Sequence, residues 1–173
     1  MARLPPPGAN FSRLPLDVQV LSPSVLCRIS THDTGEPYFG RSRGNRFDDP
    51  QAKRANRFGT CYLGLNLTVA IAESLLHNAE PENGRFVVPV SEIDACYAFR
   101  FSGPGLRLAN LTGTPLQVDG FLYMSRRVND SMAVVLFERD PKKPLALTPS
   151  SPIRLCAHPE FAASVHRLRL GAT

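Results

Sequence analysis

The chain has 173 residues, 43% of them apolar and 20% charged, which fits one globular domain able to bury its own core. Twenty basic residues against fifteen acidic ones give a formal charge of +5, a balance that suits an anionic partner. The basic residues are scattered except at 41–57, where their spacing is that of a loop and not of a helical face; this argues against direct nucleic-acid binding and for a compact polyphosphate.

Residues 1–23 are rich in proline and read as an extended arm, with 24–173 as a single domain. SVLCRIST (24–31) is a strand candidate. HDTGEPYFGRSRGNRFDDPQAKRANRFG (32–59) is a long polar loop, and loops of that length inside a compact domain are commonly functional. TCYLGLN (60–66) is the next strand, and LTVAIAESLLHNA (67–79) is the best helix, capped by Asn66 or Thr68 and stopped by Pro81. Val69, Ile71, Ala72, Leu75 and Leu76 share one arc of that helix, and Glu73 falls at its edge, about 40° from Val69. Glu73 is therefore expected at the rim of a buried face.

The second half is mostly β. RFVVPVSEI (85–93), CYAFRFS (96–102), LRLANL (106–111), GFLYMS (120–125) and SMAVVLFER (131–139) are strand candidates, with IRLCA (153–157) and HRLRL (166–170) as short edge strands. Tyr97, Phe99 and Phe101 alternate with Cys96, Ala98 and Arg100, which gives one strand an aromatic face. The expected fold class is α+β, with several short, mostly antiparallel strands and few helices.

The familiar chemical motifs are absent: no P-loop, GxSxG, HExxH or GxGxxG. Cys27, Cys61, Cys96 and Cys156 form no CxxC, and His32, His77, His158 and His166 lack metal-ligand spacing, so no metal site is expected. The first three cysteines lie in or beside apolar runs and read as buried free thiols; the histidines read as ordinary surface or core residues. No apolar run reaches the roughly eighteen residues of a membrane span, and the N-terminus has no apolar signal region, which makes a reducing cytoplasm the expected location. What remains is an ordered constellation: arginines in a glycine-containing loop, Tyr62 in the following strand, Glu73 on the helix eleven residues later, and Tyr123-Met124-Ser125 at the end of a later strand.

On FGRSRGNRFDDP, FGTCYLGLNLTVAIAESLLH and GFLYMSRR…AVVLFER, across about residues 24–140, the chain resembles the RES-domain family, named for arginine, glutamate and serine. The resemblance implies a fold like that of ADP-ribosyltransferase toxins, with short strands around an NAD⁺ cleft. It implies an NAD⁺ glycohydrolase or phosphorylase that takes NAD⁺ as substrate and needs no other cofactor. It also implies the toxin of a toxin–antitoxin pair, with an Xre-like antitoxin as partner; a homodimer is a compatible assembly. The triplet Asn-Arg-Phe occurs at 45–47 and at 56–58, and only the first is followed by Asp-Asp-Pro. The family arginine therefore carries over to Arg46, the glutamate to Glu73 and the serine to Ser125, as the catalytic set. Arg28, Tyr62 and Tyr123 carry over as substrate-binding residues. Arg57, of the second copy, is expected to be structural or peripheral and to face solvent. One departure stands out: relatives carry a further, partly helical segment where LTGTPLQVDGFLY (111–123) runs almost directly into its strand.

These residue types suit the implied chemistry. Cleaving the nicotinamide–ribose bond builds an oxocarbenium-like centre, which a rim carboxylate such as Glu73 can stabilise. The forked, permanently charged guanidiniums of Arg46 and Arg28 suit a diphosphate, and Tyr62 offers an aromatic wall. Ser125 has no histidine at a recognisable spacing and is expected to hydrogen-bond, not to act as a nucleophile. Two other readings use the same residues: an ADP-ribosyltransferase acting on a protein, and a catalytically weak domain that binds an antitoxin or a nucleotide. A third role, an effector delivered into competitor cells, would be told from a resident toxin by its neighbouring genes.

Overall fold

A computed structural model describes residues 17–110 and 118–173. The first sixteen residues of the expected arm and residues 111–117 of the segment before the Tyr123 strand lie outside the described residues. The fold is mixed α/β, with three α-helices and a curled, mostly antiparallel sheet among the described residues.

The strands are β1 (Val18–Leu21), β2 (Cys27–Ser30), β3 (Gly59–Gly64), β4 (Phe86–Val88), β5 (Tyr97–Ser102), β6 (Leu106–Asn110), β7 (Gly120–Met124), β8 (Met132–Glu138), β9 (Thr148–Pro149), β10 (Ile153–Arg154) and β11 (Leu170–Ala172). The helices are α1 (Leu67–Ser74), α2 (Val90–Asp94) and α3 (Phe161–Leu168). The main sheet runs β1-β6-β7-β8-β3-β2-β5-β10, with β9 also paired to β5, and β6/β7 is its parallel pair. A second, two-stranded sheet pairs β11 with β4 in parallel.

Period-two alternation places side chains on both faces of the main sheet, so it carries two cores. On β8, Ala133, Val135 and Phe137 join the core under α1, while Val134 and Leu136 join the opposite one. Cys27 and Ile29 of β2 face α1; Phe99 and Phe101 of β5 fill the other side, as the aromatic alternation implies. Each fully buried leucine or phenylalanine contributes roughly 1.5–3 kcal/mol. Cys27, Cys61 and Cys96 are buried free thiols and Cys156 is exposed. Burial pushes the Cys27 and Cys61 thiols up to about 11, which removes them as nucleophiles at neutral pH.

α1 begins where expected, with the Asn66 side chain accepting from the Val69 N–H at 2.9 Å. It ends at Ser74, short of 79. The Ser74 hydroxyl donates to the Ala70 carbonyl at 2.6 Å, and the Leu76 N–H reaches back to the Ile71 carbonyl, so the last turn closes on itself. The expected strand over 85–93 is corrected: only Phe86–Val88 is extended, and Pro89, which lacks an N–H, caps the start of α2. The expected strand over 166–170 is also corrected. Phe161, Val165 and Leu168 follow helical spacing, and the chain turns to β11 only after Arg169, at φ 51°. Over 153–157 the strand is two residues long and gives way to a 3₁₀ turn, Leu155–Ala157.

β2 and β3 pair at one position, Cys27 with Gly64, and then separate. The wedge between them opens beside the C-terminal turn of α1 and beneath the 32–59 loop. Among the described residues no helix is long and apolar enough to cross a membrane.

Candidate active site between β2 and β3

Gly64 brings α1 down onto the end of β3: a Cβ there would lie 2.3 Å from the Ala70 nitrogen. That approach sets Glu73, on the last turn of α1, over the end of β7. Tyr123 and Ser125 are two residues apart and point the same way. The Tyr123 hydroxyl donates to Glu73 Oε2 at 2.7 Å, and the Ser125 hydroxyl donates to Glu73 Oε1 at 2.7 Å. Both donors are buried, at 5% and 1% exposure, while Glu73 is half-buried. Burial, then the charge and hydrogen bond of Glu73, hold the Tyr123 phenol well above its ordinary pKa, so it stays a donor. Each carboxylate oxygen keeps a lone pair for another donor.

Glu73 lines a pocket of about 180 Å³ together with Arg28, Asn45, Tyr62, Ser74 and His77. The Arg28 Nη1 donates to the Tyr62 carbonyl at 3.1 Å, across the gap where the strands part. Its Nε lies 2.5 Å from Glu36 Oε2 in a largely buried ion pair, and Glu36 also accepts from the Tyr38 N–H at 2.9 Å. Arg28, Asn45 and Tyr62 also line a second cavity of about 480 Å³, with Arg41, Arg54 and Arg57 further along its wall. The two cavities thus form one groove, with a carboxylate at one end and guanidiniums along the other.

The loop over the groove is tied down by its own side chains. Asp48 accepts from the Thr60 hydroxyl at 2.7 Å, from the Asn45 N–H at 3.1 Å, from the Tyr62 hydroxyl at 3.4 Å and from Ser42. Burial opposes its ionisation, but the hydrogen bonds from Ser42, Thr60 and Asn45 outweigh it and hold the carboxyl below the usual range. Tyr62 accepts from the Phe47 N–H at 3.0 Å. Burial raises its pKa, so the phenol stays neutral. The Phe47 ring packs against Tyr123 at 4.9 Å between centroids and against Tyr62 at 6.5 Å, which joins the loop to the Glu73 cluster.

The two Asn-Arg-Phe copies have different surroundings. Arg46 is exposed at the rim, its guanidinium 5.0 Å from the Phe47 ring, with no hydrogen bond or ion pair among the described residues. Arg57 is half-buried and has the structural part expected of it, but it is turned into its own loop and not to solvent. Its Nε donates to the Gln51 carbonyl at 2.6 Å, Nη2 to Ala52 at 2.7 Å and Nη1 to Arg41 at 3.1 Å. Buried Asp49 holds the same segment by accepting from the Gln51 and Phe58 N–H groups at 2.9 and 3.1 Å.

Of the six residues singled out from the sequence, Glu73, Tyr123 and Ser125 form one hydrogen-bonded cluster. Arg28 and Tyr62 meet at a backbone carbonyl beside it, and Arg46, at the rim, makes no hydrogen bond to the cluster but its charge reaches the Tyr123 phenol. Phe47, Asp48, Asn45 and His77 were not singled out. Asp48 and Phe47 belong to the same Arg-Phe-Asp-Asp-Pro string as Arg46, which was their one available signal. Among the described residues, no three His, Cys, Asp or Glu side chains converge as a metal ion would require. No protein-family model, curated protein or solved structure matches the chain.

Proposed function

We propose that the groove cleaves the nicotinamide–ribose bond of NAD⁺, in the manner of the RES-domain family and with the cleft of an ADP-ribosyltransferase-like fold. The observation that carries this reading is the Glu73 carboxylate, held by two buried hydroxyls at one end of a groove that continues between arginines. A cavity of about 480 Å³ lies within the usual range for small-molecule sites, roughly 300–1,000 Å³.

As the C1′–N bond breaks, its electron pair leaves with nicotinamide and positive charge builds on the ribose. A carboxylate roughly 4 Å away stabilises that charge by about 4 kcal/mol at an effective dielectric of roughly 20. Tyr123 and Ser125 fix the carboxylate in advance, so little reorganisation accompanies the charge. A water or phosphate oxygen then bonds to C1′ and its proton leaves to solvent, giving ADP-ribose or its 1-phosphate. Arg54, with no side-chain partner among the described residues, is the charged donor open to the diphosphate; Arg28 and Arg41 line the same wall but pair with Glu36 and Glu138, and Arg46 is free to swing onto it. Tyr62 and Phe47 supply the aromatic wall.

Such an enzyme would act as a toxin, restrained by an antitoxin partner. The test is incubation of NAD⁺ with the pure protein, with and without phosphate and with a cytosolic extract. Free nicotinamide with ADP-ribose or its 1-phosphate supports the reading. A mass-shifted protein in the extract would mark the transferase instead, and tight NAD⁺ binding without turnover would mark a binding domain.

A further inference from the structure

A second cavity, of about 670 Å³, lies between one face of α3 and the turn that enters β4. Ala162, Val165, His166 and Arg169 line it from α3 and its cap, at the i, i+3, i+4, i+7 spacing of a single helical face. Arg85 enters from the opposite wall, where the chain turns through Asn83 and Gly84, both at positive φ. Leu170, at the start of β11, adds apolar surface.

The charge here is uncompensated. Five arginines, Arg28, Arg41, Arg100, Arg127 and Arg167, pair with a carboxylate, and the other described arginines do not. Arg85 and Arg169 have no ion pair and no side-chain hydrogen bond among the described residues, and no acidic residue lines the cavity. The C-terminal end of α3 favours nearby cations through its free carbonyls, which accounts for Arg169 and His166. It does not account for Arg85, which comes from a different element. Two unpaired guanidiniums at one cavity present the planar forks that match a phosphoryl group, and the Val165–Leu170 side suits an apolar body.

We infer that this cavity is a second, independent site that binds a small organic phosphate, its phosphoryl group on Arg85 and Arg169 and its body against Val165 and Leu170. His166 provides a further ring N–H donor. The inference does not rest on the NAD⁺ reading, because the cavity shares no lining residue with the groove at Glu73.

The experiment is calorimetric titration of the full chain with AMP, adenosine and inorganic phosphate, against chloride at matched ionic strength. AMP and phosphate should bind, and adenosine should not. Arg85→Gln and Arg169→Asn should each weaken AMP binding by about 10-fold or more, the scale of a lost charged hydrogen bond. Asparagine tolerates the left-handed backbone at 169, and neither side chain holds the fold, so melting should be unchanged. Arg107→Gln, at an exposed arginine on β6 that lines neither cavity, should leave AMP binding intact. Failure of AMP and phosphate to bind at millimolar concentration overturns the site. So does AMP binding that neither the Arg85 nor the Arg169 variant weakens.

Discussion

Glutamine is nearly isosteric with glutamate, so Glu73→Gln changes the charge held by the Tyr123 and Ser125 hydroxyls and not the packing. The amide still accepts one hydroxyl hydrogen bond through its oxygen. If Glu73 stabilises a developing cation, turnover should drop by roughly 100-fold or more while NAD⁺ binding persists. Single-turnover kinetics beside equilibrium binding separates the two, and near-normal turnover would remove Glu73 from the chemistry. The two arginine copies give the complementary pair. Arg57 donates to three backbone carbonyls, a geometry that lysine cannot reproduce, so Arg57→Lys should cost about 1–3 kcal/mol of stability. Arg46 has no polar partner, so Arg46→Lys should leave the melting temperature unchanged and raise KM for NAD⁺. Thermal melts beside steady-state kinetics check both, and an Arg57→Lys protein that melts like the native one would contradict the stapling role.

At the scale of elements, the 40–60 loop is held by the ionised Asp48. Because its folded pKa lies below the ordinary carboxylate value of about 3.9, the stability it contributes is complete above that value and is lost as pH falls through the folded pKa. The melting temperature of the native chain should therefore fall below about pH 4 more steeply than that of Asp48→Asn. Parallel curves would show that the carboxylate is not what holds the loop. α1 was legible because Asn66 caps it and its apolar arc is continuous. α3 was not: His166, Leu168 and Leu170 alternate like a strand, and the helical face of Phe161, Val165 and Leu168 overlaps that alternation until Arg169 reverses the chain. The run RFVVPVSEI hid a helix start, because proline ends a strand and begins a helix equally well.

Across the whole molecule, the site draws on α1, β2, β3, β7 and the long loop. Tyr123 lies 50 residues from Glu73 and Ser125 lies 52, separations that no local pattern encodes. Those residues were legible only because their order along the chain resembles a family. Phe47 and Asp48 act through contacts that close after the sheet forms, and only their place in the Arg-Phe-Asp-Asp-Pro string marked them. A domain that destroys NAD⁺ should stop bacterial growth and deplete the NAD⁺ pool when expressed without a restraining partner. Normal growth at confirmed expression would contradict the toxin role. The toxin role depends on bond cleavage at a carboxylate held by Tyr123 and Ser125. That cleavage is tested most directly by measuring nicotinamide released from NAD⁺ by the pure native chain and by Glu73→Gln, both checked for folding. The native chain should release nicotinamide steadily and Glu73→Gln roughly 100-fold more slowly; no release by the folded native chain, or equal release by both, would rule out cleavage at Glu73.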